Sequence, residues 1–217
     1  MPNAIMNANI DKRFNVWPVK YKNAPVPKDG KIFNPRRGKR NLYFDFENTD
    51  DLSNSQPPHT YLIGVWEKET RKYTAFLAKG AQDEEKIFRE FLEFAMDSDE
   101  NSLYHWTECE VHSLRQIAGK YPQLREKIKA AISCCVDIKA EIQKAFYLPS
   151  PSFSLKAAAP AFGFSWRQSE CNAMDSMVYY WEWLESGDDE LINKVLTYNE
   201  DDCIAMYHVD KAVGGTL

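Results

Sequence analysis

The chain has no run of about 18 consecutive apolar residues, so a membrane span is not expected. Met1 to Ile10 lacks a basic start followed by an apolar stretch, and a secretory signal is not expected either. The five cysteines, Cys109, Cys134, Cys135, Cys171 and Cys203, form no C-x-x-C pair, and their number is odd. That argues against a disulfide scaffold and against a zinc site, and fits a reduced, cytoplasmic setting. No internal repeat is visible, and no excess of basic charge: the net charge is −5.

What is present is an ordinary apolar content of 44% in 217 residues, enough for one domain with a sizeable core plus an extension. The charge is unevenly spread. Residues 11–40 carry ten basic side chains against Asp11 and Asp29, a local +8, which leaves 17 basic and 30 acidic groups, −13, on the rest. Residues 1–40 also hold Pro2, Pro18, Pro25, Pro27 and Pro35 with little periodicity. They read as a basic N-terminal arm ahead of a domain over residues 41–217. Such an arm can touch phosphates while an acidic body gathers cations. It reads equally well as a solvated tail.

From Asn41 the texture alternates. Asn41–Phe46, Thr60–Glu67, Lys72–Ala78, Ser102–Trp106 and Ile132–Ile138 predict five strands, with a hairpin at Glu67–Arg71. Asp83–Met96 has helical apolar spacing and an acidic start. Val111, Leu114, Ile117 and Ala118 mark a second helix. Ser154 is expected to cap a third, running to about Phe162 and ended by Gly163. Met174 to Trp181 and Leu191 to Val209 complete the helices. The order predicts an α/β fold with a mixed five-stranded sheet flanked by helices: a meander joined to two helix-linked strands.

Carboxylates fall at structurally favoured points. Asp45 and Glu47 are two apart in a strand and project from one face, with Phe46 toward the other layer. Two anions so close repel unless a cation lies between them. Taken alone, the triplet is also an ordinary polar strand end. Tyr198 and Asp202 are four apart and share a helix face, so a phenol stands beside a carboxylate. Glu200, Asp201 and Asp202 in series read equally as a solvated acidic turn. Glu110 follows the fourth strand at a helix start, where the dipole favours it. Asp137 ends the fifth strand. Carboxylates with no His or Cys partner favour hard cations, Mg²⁺ or Mn²⁺. Two such ions about 3.5–4 Å apart can stabilise both attacking and leaving oxygens in phosphodiester cleavage.

With these residues in hand the sequence resembles the DEDD superfamily of 3′→5′ exonucleases. More closely, it resembles the YprB-type ribonuclease H-like domain, which is also found fused to RecB-type nuclease and helicase modules. The resemblance covers about residues 41–212. It rests on Tyr43-Phe44-Asp45-Phe46-Glu47, on Leu103-Tyr104-His105-Trp106 with Glu110, and on Phe153-Ser154-Leu155-Lys156 leading to Phe162-Gly163-Phe164-Ser165-Trp166. The last piece is Tyr198-Asn199-Glu200-Asp201-Asp202-Cys203. It implies a ribonuclease H-like fold and two-metal hydrolysis from a DNA or RNA 3′ end. Asp45, Glu47 and Asp202 are implied metal ligands, Asp45 shared between the ions, with Glu110 binding mostly through water. Tyr198 is implied to position the attacking water. Another branch places a histidine one residue earlier, where this chain has Thr197. The superfamily usually has Asp at the second motif, and Glu110 is one methylene longer; Asp137 is the substitute if Glu110 is not the ligand. Ser154 and Lys156 are candidates for contacting a substrate phosphate. The resemblance also implies a place inside a larger nucleic-acid-processing assembly, with a protein partner. Two other readings stay open: a structure-specific endonuclease on the same fold, and a non-catalytic nucleic-acid or protein-binding module. Trp166, Tyr179, Trp181 and Trp183 can stack bases, although core packing is expected of most of them. His105 and His112 are expected to be packed or surface groups, and Cys203 a core residue.

Overall fold

The structure is a computed structural model that describes residues 24–49 and 57–214. The first 23 residues of the basic arm therefore lie outside the described residues.

β1 (Val26–Pro27) pairs antiparallel with β7 (Phe146–Tyr147) in a separate two-stranded ribbon. The main sheet is mixed and five-stranded, as its sequence order predicts. It is built from β2 (Asn41–Asn48), β3 (Thr60–Glu67), β4 (Lys72–Leu77), β5 (Ser102–His105) and β6 (Cys135–Asp137), in the order β4-β3-β2-β5-β6. β2, β3 and β4 form the antiparallel meander; β5 and β6 join in parallel through helical crossovers. Arg71 takes a positive φ of 54° in the tight β3–β4 turn.

Alternation along β2 sorts its side chains between two layers. Leu42, Phe44 and Phe46 enter the core beneath α1 (Glu84–Ala95), α2 (Glu108–Lys120) and α3 (Arg125–Cys134). Tyr43 faces the other layer. There α4 (Ile138–Ala145), α5 (Leu155–Ala161) and α7 (Asp189–Gly214) pack with Tyr104, Trp106 and Val136. α6 (Ala173–Ser186) joins α7 over β3, where Tyr180, Ile192 and Val195 meet Tyr61 and Leu62. No helix among the described residues is long and apolar enough to cross a membrane.

The fifth strand is shorter than Ile132–Ile138. Residues 132–134 finish α3, whose buried Ile128, Ala131 and Cys134 keep helical spacing. Only Cys135–Asp137 is extended, and Ile138 already starts α4. A short apolar run does not distinguish a helix end from a strand. Asp137 ends the strand as the N-cap of α4, its carboxylate accepting from Ala140 N at 2.7 Å. Ser154 is the N-cap residue of α5, but its hydroxyl makes no capping bond. Ser154 Oγ lies instead 3.0 Å from Ser152 Oγ. Gly163 stops the helix with a φ of 86°.

Candidate metal centre and active site

α7 carries a buried stripe at Val195, Asn199, Asp202, Met206, Val209 and Val213, alternating steps of four and three. That stripe faces the sheet, so its two polar members must meet something polar. They meet β2. Carboxylate oxygens of Asp45, Glu47 and Asp202 all lie within 4.8 Å of one another. Asp45 is half-buried, and Glu47 and Asp202 are buried. The three residues that the resemblance makes direct ligands thus converge across 157 residues of chain, on the face opposite Phe46.

Crowding three carboxylates in a protein interior disfavours their charged forms. Burial, then the charges of Glu47, Asp202 and Glu110, hold Asp45 well above the usual carboxylate range. Burial and Asp202 push Glu47 up to about 8, against hydrogen bonds from Asn199 and Ser176. Asp202 is raised by burial and eased by Lys156, Trp166 and Tyr198.

The relieving groups are specific. Lys156 Nζ lies 3.2 Å from Asp202 Oδ1, and Trp166 Nε1 donates to the same oxygen at 2.6 Å. The ammonium sits over the Trp166 ring at 4.1 Å and the Tyr198 ring at 4.4 Å. Asn199 Nδ2 donates to Asp45 Oδ2 at 3.1 Å and to Glu47 Oε1 at 3.2 Å. Next door, Arg167 binds Asp201 and Glu200, so two of the three acidic residues in series are neutralised by a basic partner.

Glu110 stands at the start of α2, beside the trio but outside it. It accepts from Thr107 Oγ1 at 3.1 Å and lies 3.8 Å from His105 Nδ1. His105 donates that Nδ1 proton to the Thr107 carbonyl. Burial raises the Glu110 carboxyl, and its charge in turn raises Asp45. Asp137 is engaged in capping α4. Ser154 is exposed at the head of α5, two residues before Lys156. Cys203 and His105 are buried and His112 is exposed. Trp181 and Trp183 pack around Tyr180.

Asn199, Gly64 and Tyr73 are among the participants to which the sequence reading gives no role. Gly64 pairs with Asp45 in the β2–β3 ladder, and a Cβ there would meet Asn199 Oδ1 at 1.6 Å. Tyr73 donates its hydroxyl to that Oδ1 at 2.8 Å. The available signal is an asparagine beside Asp202 in a helical stripe that is apolar elsewhere, which demands buried partners.

The donor set fits a hard divalent cation. It offers only carboxylate oxygens, close enough to share an ion, and the positive groups nearby do not restore the carboxyls to their ordinary range. Compared with known families, residues 42–213 match the RNase_H_2 model of the RNase_H superfamily. No curated protein and no solved structure matches the chain.

Proposed function

The chain belongs to the RNase H superfamily, and from that premise we propose that it is a metal-dependent 3′→5′ exonuclease acting on DNA or RNA. Superfamily membership supports nucleic-acid hydrolysis in general; the polarity and the exonuclease mode are our reading. The observation that carries it is the convergence of Asp45, Glu47 and Asp202, with Tyr198 one turn before Asp202 on the same helix.

Asp45, Glu47 and Asp202 would hold Mg²⁺ or Mn²⁺, as two ions, with Glu110 reaching them through water. When bound, these ions supply Lewis-acid activation of water and neutralise charge on the scissile phosphate. The remaining work belongs to the side chains. Tyr198 has its phenol raised by burial and the adjacent carboxylates, so it stays protonated and can orient a water by its hydroxyl. Lys156, 43% exposed, can leave Asp202 to meet a substrate phosphate oxygen as a point charge. Ser154, exposed beside it, offers a hydroxyl to the same strand.

The test is digestion of 5′-labelled single-stranded DNA, RNA and duplexes with Mn²⁺ or Mg²⁺. A ladder shortening one nucleotide at a time from the 3′ end is expected. Cutting of a circular substrate would replace the exonuclease by an endonuclease on the same site. No cleavage of any substrate with either ion would overturn the enzymatic reading.

A further inference from the structure

We infer that Asn199 is a positioning residue: it fixes the Asp45 and Glu47 carboxylates for cation binding, and is itself aligned by Tyr73 and by the missing side chain at Gly64. The inference rests on the reading that these carboxylates bind a divalent cation. Its evidence is a hydrogen-bond geometry that needs no ion.

Asp45 and Glu47 share a strand face, but a strand sets only where their Cβ atoms lie. The terminal torsions of Asp and Glu are broad, so the oxygens are free to turn unless something holds them. Asn199 holds one oxygen of each. Its two amide hydrogens go to Asp45 Oδ2 and Glu47 Oε1, and the Asp45 carbonyl lies 3.4 Å from the same nitrogen. The second oxygen of each carboxylate is outside this bond.

Such a bracket works only if the amide points the right way. A reversed amide would turn Oδ1 onto two carboxylates and take its donor away from each. Tyr73 prevents this by donating to Oδ1, and Cys203 Sγ lies 4.0 Å from the same oxygen. Room for Oδ1 exists because Gly64 has no Cβ. Asn199 is fully buried, so every polar atom of its side chain must be satisfied inside the protein, and all are. Gly64 of β3, Tyr73 of β4 and Asn199 of α7 therefore act together on two carboxylate orientations of β2.

Supporting partners of metal ligands typically govern affinity by about ten- to a hundredfold. The experiment measures Mn²⁺ binding to the full chain by electron paramagnetic resonance of the free ion, with circular dichroism as a check on folding. Asn199→Leu keeps the side chain's approximate size and removes its donors. It should bind Mn²⁺ about ten- to a hundredfold more weakly with a wild-type spectrum. Tyr73→Phe removes one hydroxyl, leaves Asn199 in place, and should weaken Mn²⁺ several-fold. A residue that only satisfies packing would leave Mn²⁺ affinity unmoved. Wild-type protein that binds Mn²⁺, with both variants binding as tightly, overturns this inference and spares the cation reading. Wild-type protein that does not bind Mn²⁺ overturns both. If Asn199→Leu fails to fold, Tyr73→Phe decides alone, and unchanged affinity in it overturns the inference.

Discussion

Lys156 and Asp202 form an ion pair in which the cation is held by more than the anion. The ammonium is 3.2 Å from Asp202 Oδ1 and lies over two aromatic faces, Trp166 and Tyr198. Cation–π attraction to both rings confines a side chain that would otherwise be mobile. Asp202 is thereby held by a cation, by the Trp166 indole and by the Tyr198 side chain, while Asp45 and Glu47 share an amide.

Lys156→Met should lower the thermal stability of the metal-free protein modestly. The pair is partly exposed, so the effect belongs in the range of about 0–1 kcal/mol. Saturating Mn²⁺ should shrink the difference, because the ion then carries the compensating charge. Melting curves with EDTA and with Mn²⁺ check this. An equal loss under both conditions would mean that the lysine acts only by packing its stem on Trp166 and Tyr198.

Asp45→Ala and Asp202→Ala should each abolish cleavage with the fold retained. Their stabilities should differ. Asp45 is opposed by three neighbouring anions, so its removal should raise the metal-free melting temperature. Asp202 is the partner of Lys156 and Trp166, so its removal should not. Activity near the wild-type level in either purified variant would sink the metal-centre assignment.

Tyr198→Phe should lose about one to three powers of ten in turnover while keeping Mn²⁺ affinity. The ring that carries Lys156 is retained and only the hydroxyl goes. Single-turnover rates at saturating Mn²⁺ provide the measurement. Unchanged turnover would leave Tyr198 as a packing surface for the lysine.

Much of this site is legible in the sequence, for identifiable reasons. Strand alternation put Asp45 and Glu47 on one face, and helical spacing put Tyr198 beside Asp202. Both are local rules. The sheet followed from the strand order, although the end of α3 and the start of α4 were hidden in Ile132–Ile138, a mostly apolar run that holds a helix end, a three-residue strand and the first residue of a new helix. What stayed invisible needed the tertiary structure. Trp166 was readable as a base-stacking or core residue, but its bond to Asp202 spans 36 residues. The dependence of Asn199 on Gly64 is invisible because it rests on an absent side chain in another strand.

Metal-free stability should fall as pH rises from about 5 to about 8. Glu47 goes from an ordinary value of 4.5 to about 8 in the folded protein, and Asp45, Asp202 and Glu110 are raised as well. Between the unfolded and folded values the native state holds more protons than the unfolded chain, so raising pH favours unfolding. The stabilising contribution is complete below the unfolded value and is lost as pH passes the folded one. A divalent cation takes the place of those protons, so its stabilising effect should grow over the same window. Melting temperatures across this range, with EDTA and with Mg²⁺, test both halves. A metal-induced shift that is flat with pH would mean that the ion binds away from these carboxylates.

Two deletions divide substrate capture from folding within the basic segment. Of the ten basic residues between 11 and 40, Lys12, Arg13, Lys20 and Lys22 lie outside the described residues. Several of the rest bind the body. Arg37 makes a bidentate pair with buried Asp210 at 2.5 and 2.6 Å, and Arg40 pairs with Glu67 at 2.6 Å and Asp97 at 2.8 Å. Arg36 donates to the carbonyls of Ser133 and Asp99. Phe33 is in the core, and Val26 and Pro27 are paired with Phe146 and Tyr147. Deleting residues 1–23 removes those four cations and leaves every one of these contacts in place. If the four removed cations track phosphates, binding should weaken, and the log–log salt slope should flatten by about 0.7 for each single-strand phosphate that is no longer neutralised. Turnover at saturating substrate should hold, since the carboxylates all follow residue 40. Extending the deletion to residue 40 should lower the melting temperature sharply, because Asp210 would remain buried without its guanidinium. Equal affinity and slope in the shorter deletion would assign those four cations to a protein partner or to solvent.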